Sequence, residues 1–410
     1  MVNDFLPRRP QGNAQNQNQW QRPIAFQTPE SVATNEASTP QPASVGHFGL
    51  PPKPPKKSLK DKLKSLSKKQ WAIIIAVAVV VLGGGTATAI ALFGGNAEPQ
   101  KQAVVKDTPK EEVKPTTVPS KLTGLPVDPS FNERQVTAVM IENSLDARPQ
   151  SGMQDAGVVF EAVAEGGITR FLTLFQDTDT DYVGPVRSVR PYYIQWARGF
   201  DGAIAHVGGS PEALALLRSG GAKDLDQFNN PGPYSRVSNR FAPHNMYSSI
   251  PKLRELQASR GYAKSEYKAI SRTVKENPSK APTARVVDFN ISGAQYNAHY
   301  EYDGASNTYK RSVGGKPHTD ERSQVQLAPK VVVGLVMPQG KNGVYTTYQT
   351  IGSGQAYVFQ DGIVTLGNWH KPSNADNFTF TDANGAELKL NPGQTWFTVI
   401  GASNRVTYTP

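Results

Sequence analysis

The sequence predicts an α/β domain followed by a small antiparallel all-β domain, preceded by one transmembrane helix and a disordered N-terminal tail. Three observations predict it. Residues 71–93 form a run of 23 residues without a charge. Between residues 122 and 280, apolar runs of strand length alternate with helix signals. Between residues 281 and 410 the pattern is almost wholly strand, separated by turn dipeptides.

The tail comes first. Residues 1–52 of the disordered tail, 1–70, are rich in Gln, Asn, Pro and Ser, and carry too few apolar side chains to build a core. The chain has a formal net charge of +10, from 44 Lys and Arg against 34 Asp and Glu. Residues 1–70 hold 11 of the bases and 4 of the acids, so +7 lies there and +3 in the rest. Eight lysines fall between Lys53 and Lys69, directly before the apolar run. At about 1.5 Å per residue that run can cross the roughly 30 Å hydrocarbon core. It is too long, and too far from the start of the sequence, for the apolar stretch of a signal peptide. The positive-inside rule then predicts a single-pass plasma-membrane protein with a cytoplasmic N-terminus and residues 94–410 extracytoplasmic. Residues 94–121, mixing Lys, Glu, Pro and Thr, read as a linker. With the charge placed in this way, nucleic acid is not an expected partner; the plasma membrane is. The chain has no cysteine, which excludes thiolate metal sites and a cysteine nucleophile.

In the α/β domain, 122–280, strands are expected at 136–142, 158–163, 170–175 and 202–207. A helix is expected at 192–198. Another starts at Ser210 as N-cap with Pro211 in its first turn, and a third lies at 250–259. The β-rich domain, 281–410, should hold strands at 286–291, 298–302, 308–313, 331–337, 345–351, 356–359, 378–380 and 396–400.

Polar residues of useful chemistry concentrate in short segments of the first domain. Ligands bind such sheets where strands end and helices begin. Arg187 and Arg190, three apart in a proline-bounded turn, are forked donors suited to phosphate or carboxylate. Gly208, Gly209 and Ser210 make a turn at a helix start, where an anion is favoured. Arg148, Glu161, Thr169, Arg170, Arg240 and Asn245 complete an expected Arg/His-rich, anion-binding pocket. Glu165, His206 and His244 are the candidate acids and bases. A strand-end histidine is more often structural than catalytic, and Glu161 or Glu165 with Arg170 is as readily a salt bridge. No spacing assigns a metal or a cofactor: there is no P-loop, dinucleotide fingerprint or nucleophile elbow.

These segments carry a resemblance. ARPQSG (147–152), EGGITRFL (165–172), GPVRSVRPYYI (184–194), HVGGSPEA (206–213) and APHNMY (242–247) resemble the bacterial family typified by the YerB lipoproteins. YKRSVGGKPHTD (309–320), IGSGQAYVFQDG (351–362) and LNPGQTWFTVI (390–400) resemble its second part. The resemblance covers about 125–402 and implies a two-part domain of unknown function on the outer side of the membrane. Those lipoproteins are tethered by a lipidated cysteine, which this chain lacks; a spanning helix is expected to take its place. At the level of fold order, the Arg-bearing strand, Arg-rich turn and Gly-Gly strand end are similar to LytR–CpsA–Psr phosphotransferases. Thr169-Arg170 lacks the acid that follows the arginine there, and Ser188 stands where an Asp would follow Arg187. Two functions stay open: a binding protein for an anionic wall glycan or lipid headgroup, and an envelope enzyme acting on a phosphate-linked or glycosidic wall substrate.

Overall fold

The computed structural model describes residues 116–410. The tail, the apolar run at 71–93 and most of the linker lie outside the described residues. Among the described residues no helix is long and apolar enough to cross a membrane.

The larger sheet starts from runs with no polar interruption. β1 (Thr137–Glu142), β2 (Val158–Glu165) and β3 (Ile168–Phe175) are buried along nearly their whole length, as expected of strands covered on both faces. α1 (Pro191–Arg198), β4 (Ala203–His206), α2 (Pro211–Arg218), β5 (Asp224–Asp226) and α3 (Ile250–Ser259) follow. Ser210 caps α2 as expected, its Oγ accepting the Ala213 N–H at 3.3 Å.

A small antiparallel sheet is built from β6 (Val286–Phe289), β7 (Ala298–Asp303), β8 (Thr308–Val313) and β9 (Lys316–Pro317). The chain then re-enters the larger sheet with β10 (Val331–Val336), β11 (Gly352–Gln360), β12 (Ile363–Lys371), β13 (Thr379–Asp382) and β14 (Thr395–Ile400). It closes the small sheet with β15 (Val406–Thr409), which pairs with β6. The larger sheet runs β13-β12-β11-β10-β14-β2-β3-β1-β4-β5, and the hairpin of Gln339–Asn342 and Tyr345–Tyr348 joins it where Tyr345 pairs with Glu165.

Two findings differ from the expectation. The described residues are β-rich with three short α-helices, and the larger sheet draws strands from both sides of the domain boundary expected between 280 and 281. The reason is packing: β14 lies parallel to β2, Thr395 opposite Val158 through Thr398 opposite Glu161, and so extends an already buried sheet. β5, β9, β12, β15 and the hairpin strand Gln339–Asn342 escaped the sequence reading. β12 carries Gly367, where an added Cβ would lie 1.9 Å from the Thr381 carbonyl of β13, so this glycine is what lets the two strands approach.

Each face of the larger sheet has its own core. Met140, Phe160 and Leu172 pack with Tyr192, Trp196 and Leu217 of α1 and α2. Ile141, Val159 and Phe171 pack with Val287, Phe289 and Tyr300 of the small sheet, and with Leu253 of α3. Alternation along each strand sends neighbours to opposite cores.

Candidate functional site

The strands β1, β2, β4 and β5 run parallel, with β3 antiparallel between β1 and β2. Their ends bring Glu142, Glu165, His206 and Asp226 to one edge. The segment 184–190 crosses that edge. Glu142 N–H donates to Pro185 O (3.0 Å) and Arg187 N–H to Met140 O (2.9 Å). Val207 N–H donates to Arg187 O (3.1 Å), and Val189 N–H to Gly208 O (3.0 Å). Backbone pairing thus fixes where Arg187 and Arg190 stand.

Arg170 Nη2 donates to Glu165 Oε1 at 2.7 Å, and Arg190 Nη2 bonds Glu165 Oε2. Both guanidinia are nearly buried, while the Glu165 side chain is 27 % exposed. Burial alone would raise the Glu165 carboxyl, but Arg170 and Arg190 outweigh it and hold it below the usual carboxylate range. Burial and the charge of Arg170 push Arg190 down. Arg190 also lies over the Tyr345 ring, 4.9 Å from its centroid. Glu165 is therefore an ionised clamp between two cations rather than a proton donor.

Glu161 goes elsewhere. Glu161 and Glu165 are four residues apart and would share a face in a regular strand. A register shift between Val163 and Glu165 breaks the alternation. Glu165 turns toward the helices, and Glu161 faces the small sheet. There Arg311 Nη2 donates to Glu161 Oε2 at 2.8 Å, with both side chains fully buried. Arg311 Nε donates to His318 Nδ1 (3.0 Å), so His318 Nε2–H donates to Gln150 Oε1 (2.8 Å). Gln150 Nε2 donates to Asn143 Oδ1 (3.1 Å), Asn143 Nδ2 to Thr169 Oγ1 (2.6 Å), and Thr169 Oγ1 to Glu161 Oε1 (3.2 Å). Six side chains close a buried ring that bonds the small sheet to the strand ends. Burial raises Glu161, against the pull of Arg311. Burial, then Arg311 and Arg148, hold His318 well below the usual histidine range. Arg148 flanks the ring, donating from Nε to Asn143 Oδ1 (2.9 Å) and lying over Tyr296.

His206 is engaged on both ring nitrogens: Nδ1 faces Gly208 O at 2.8 Å and Nε2 faces Asp224 Oδ1 at 2.9 Å. The glycine turn is similarly occupied. Gly208 N–H donates to Asp226 Oδ1 (3.0 Å) and Ser210 N–H to Val189 O (3.2 Å), while Gly209 packs against Val189. Arg240 braces the 146–149 loop, donating to Pro149 O (2.6 Å) and Glu321 Oε1 (3.1 Å). Asn245 accepts from Arg236 (2.7 Å).

What remains open is a cluster around Glu142, a residue the sequence reading passed over. Glu142 is buried at the end of β1, directly opposite Arg170 on β3. His244 Nδ1 donates to Glu142 Oε2 at 3.0 Å and lies 3.2 Å from Ser144 Oγ. This leaves Nε2 outward, 3.9 Å from Asp146 Oδ2. Arg187 Nε lies 3.3 Å from Glu142 Oε1, off the line of a hydrogen bond, so the attraction is coulombic. The Arg187 side chain is 28 % exposed, and its terminal nitrogens meet no acceptor among the described residues. The signal for Glu142 was a lone carboxylate ending an apolar strand. Among the described residues no group of three or more His, Asp or Glu is disposed to hold a metal ion. Two clefts, of about 640 and 580 Å³, open away from this cluster, beside Arg272 and beside His299.

Comparison with known proteins matches the same span. Residues 122–263 match the model for the N-terminal domain, and residues 287–397 that for the C-terminal domain, of a protein family of unknown function, DUF3048. The chain is 31 % identical over 310 residues to the protein named "Putative lipoprotein YerB" of Bacillus subtilis (strain 168), covering 73 % of this chain and 90 % of that one. The crystal structure of the YerB protein from Bacillus subtilis is similar with a TM-score of 0.65 at 28 % identity, covering 72 % of this chain and all of the other.

Proposed function

The chain belongs to the DUF3048 family, and from that premise we propose that it is an extracytoplasmic envelope protein that binds an anionic ligand at the Arg187 edge of its larger sheet. One observation carries this reading: Arg187 is held on one side by a buried carboxylate while its terminal nitrogens have no acceptor among the described residues. An anchored guanidinium with an open fork is a donor pair for phosphate or carboxylate. In the open cluster Arg187 and His244 stand with Glu142 and Asp146, so it is the free donor pair of Arg187, rather than net charge, that an anion would engage. Placement outside the membrane is supported by the relative's name as a lipoprotein. The charge-free run at 71–93 would be the tether in this chain. The ligand class is a phosphate-bearing wall glycan or a lipid headgroup.

The test is thermal stabilisation of residues 107–410, which contain all the described residues, by phosphate-bearing wall glycan fragments and by glycerol 3-phosphate. A binding protein is stabilised as ligand exceeds its Kd. No stabilisation by any of them removes the reading.

A second reading has its own observation. Glu142 holds His244 Nδ1–H and leaves Nε2 outward, the arrangement of an oriented general base. In an envelope enzyme acting on a phosphate-linked or glycosidic substrate, His244 would carry the proton and Arg187 the anion. Turnover of a phosphodiester or glycoside that is lost in His244→Asn while binding survives would favour it. Glycan binding without turnover favours the first reading.

A further inference from the structure

Large apolar side chains rarely crowd around a polar centre on a free surface, yet four exposed ones lie in segments along this edge of the larger sheet. Phe241 is 91 % exposed and Phe228 70 %; Leu145 and Val344 are exposed as well. Their neighbours place them. The Phe241 carbonyl accepts the His244 N–H at 2.9 Å. Leu145 follows Ser144, which contacts His244. The Phe228 ring lies over Gly208, within 3.4 Å of where a Cβ would stand, and Gly208 accepts the N–H of Val189, two residues from Arg187. Val344 precedes Tyr345, which pairs with Glu165. Phe228 and Phe241 are the phenylalanines exposed among the described residues, and both stand at this edge.

A guanidinium with open donors at the centre and phenyl rings at the rim match an anionic headgroup set in an apolar layer. We propose that the anion held at Arg187 is the headgroup of an anionic phospholipid in a bilayer surface, with Phe228 and Phe241 entering the interfacial region beside it. This rests on the anion-binding reading above and adds the apolar half of the ligand. It also gives the exposed rings a role that a soluble glycan would leave unused.

The experiment compares residues 107–410 with Phe228→Ser/Phe241→Ser and Arg187→Ala. The probes are phosphatidylcholine vesicles with and without phosphatidic acid, by flotation, and glycerol 3-phosphate, by calorimetry. The expected result is binding to vesicles that contain phosphatidic acid and not to phosphatidylcholine alone. The double serine variant should lose about tenfold or more in vesicle affinity while keeping its affinity for glycerol 3-phosphate. Arg187→Ala should weaken both. Vesicle binding that is absent, or unchanged by the serine substitutions, while glycerol 3-phosphate still binds through Arg187, overturns the lipid inference and leaves the anion reading standing. Failure of both probes, or indifference of both to Arg187→Ala, overturns the anion reading and the inference with it.

Discussion

Glu142 and Arg170 stand directly opposite each other on neighbouring antiparallel strands, yet their ion pairs lead to different partners. Glu142 reaches Arg187 and His244, and Arg170 reaches Glu165. The edge is thus divided into a closed clamp at Glu165 and an open cluster at Glu142. Each half makes its own prediction.

The clamp should be needed for the fold. Glu165→Ala leaves Arg170 and Arg190, both nearly buried, side by side without a carboxylate. Removing one partner of a buried pair costs about 3–5 kcal/mol, and the part-exposure of Glu165 reduces this to about 2–3 kcal/mol. Urea unfolding of Glu165→Ala against wild type checks the figure. A change below about 0.5 kcal/mol would mean that the arginines are solvated in solution.

The buried ring makes a contrast of two variants. Arg311→Ala strands Glu161 in a fully buried position and should cost about 3–5 kcal/mol. The pair Glu161→Leu/Arg311→Met removes both charges and should recover at least half of that loss, since well-packed apolar replacements of buried ion pairs are often neutral or better. A double variant no more stable than Arg311→Ala would show that the ring's remaining hydrogen bonds depend on the ions.

His318 should make stability pH-dependent in a known direction. Its folded-state affinity for a proton lies well below the usual histidine value because it is buried beside Arg311 and Arg148. Below about pH 6.5 the unfolded chain takes up a proton that the folded chain does not, so stability falls as pH falls. The slope from this one group approaches about 1.4 kcal/mol per pH unit. Urea midpoints between pH 8 and 5 should fall more steeply for wild type than for His318→Gln. Parallel curves would contradict the assignment.

Much of this fold could be read from residue order. The strands at 136–142, 158–163 and 170–175 are apolar runs that alternate between two cores, and Ser210-Pro211 carries its helix start in its own chemistry. Glu165 with Arg170 was legible for the same reason, being close in sequence. The ring was not. Arg311 lies 150 residues from Glu161, and no local pattern says that the β8 strand will cover β2. The bulge before Glu165 was equally silent, although it decides which carboxylate meets which arginine. The strand carrying Gly367 was illegible for a complementary reason: a residue that weakens isolated strands is needed where two backbones touch. Glu142 was overlooked because a single acid closing a strand looks like the end of an element.

The most direct test of the central claim is the affinity of residues 107–410 for glycerol 3-phosphate, measured by calorimetry for wild type, Arg187→Ala and Arg218→Ala. Arg218 is exposed at the end of α2, away from the edge, and controls for the loss of one surface charge. Charge-assisted hydrogen bonds contribute about 1.5–3 kcal/mol each, so Arg187→Ala should weaken binding by about tenfold or more while Arg218→Ala leaves it unchanged. Equal affinity in all three proteins, or no binding by wild type, would contradict an anion site at Arg187.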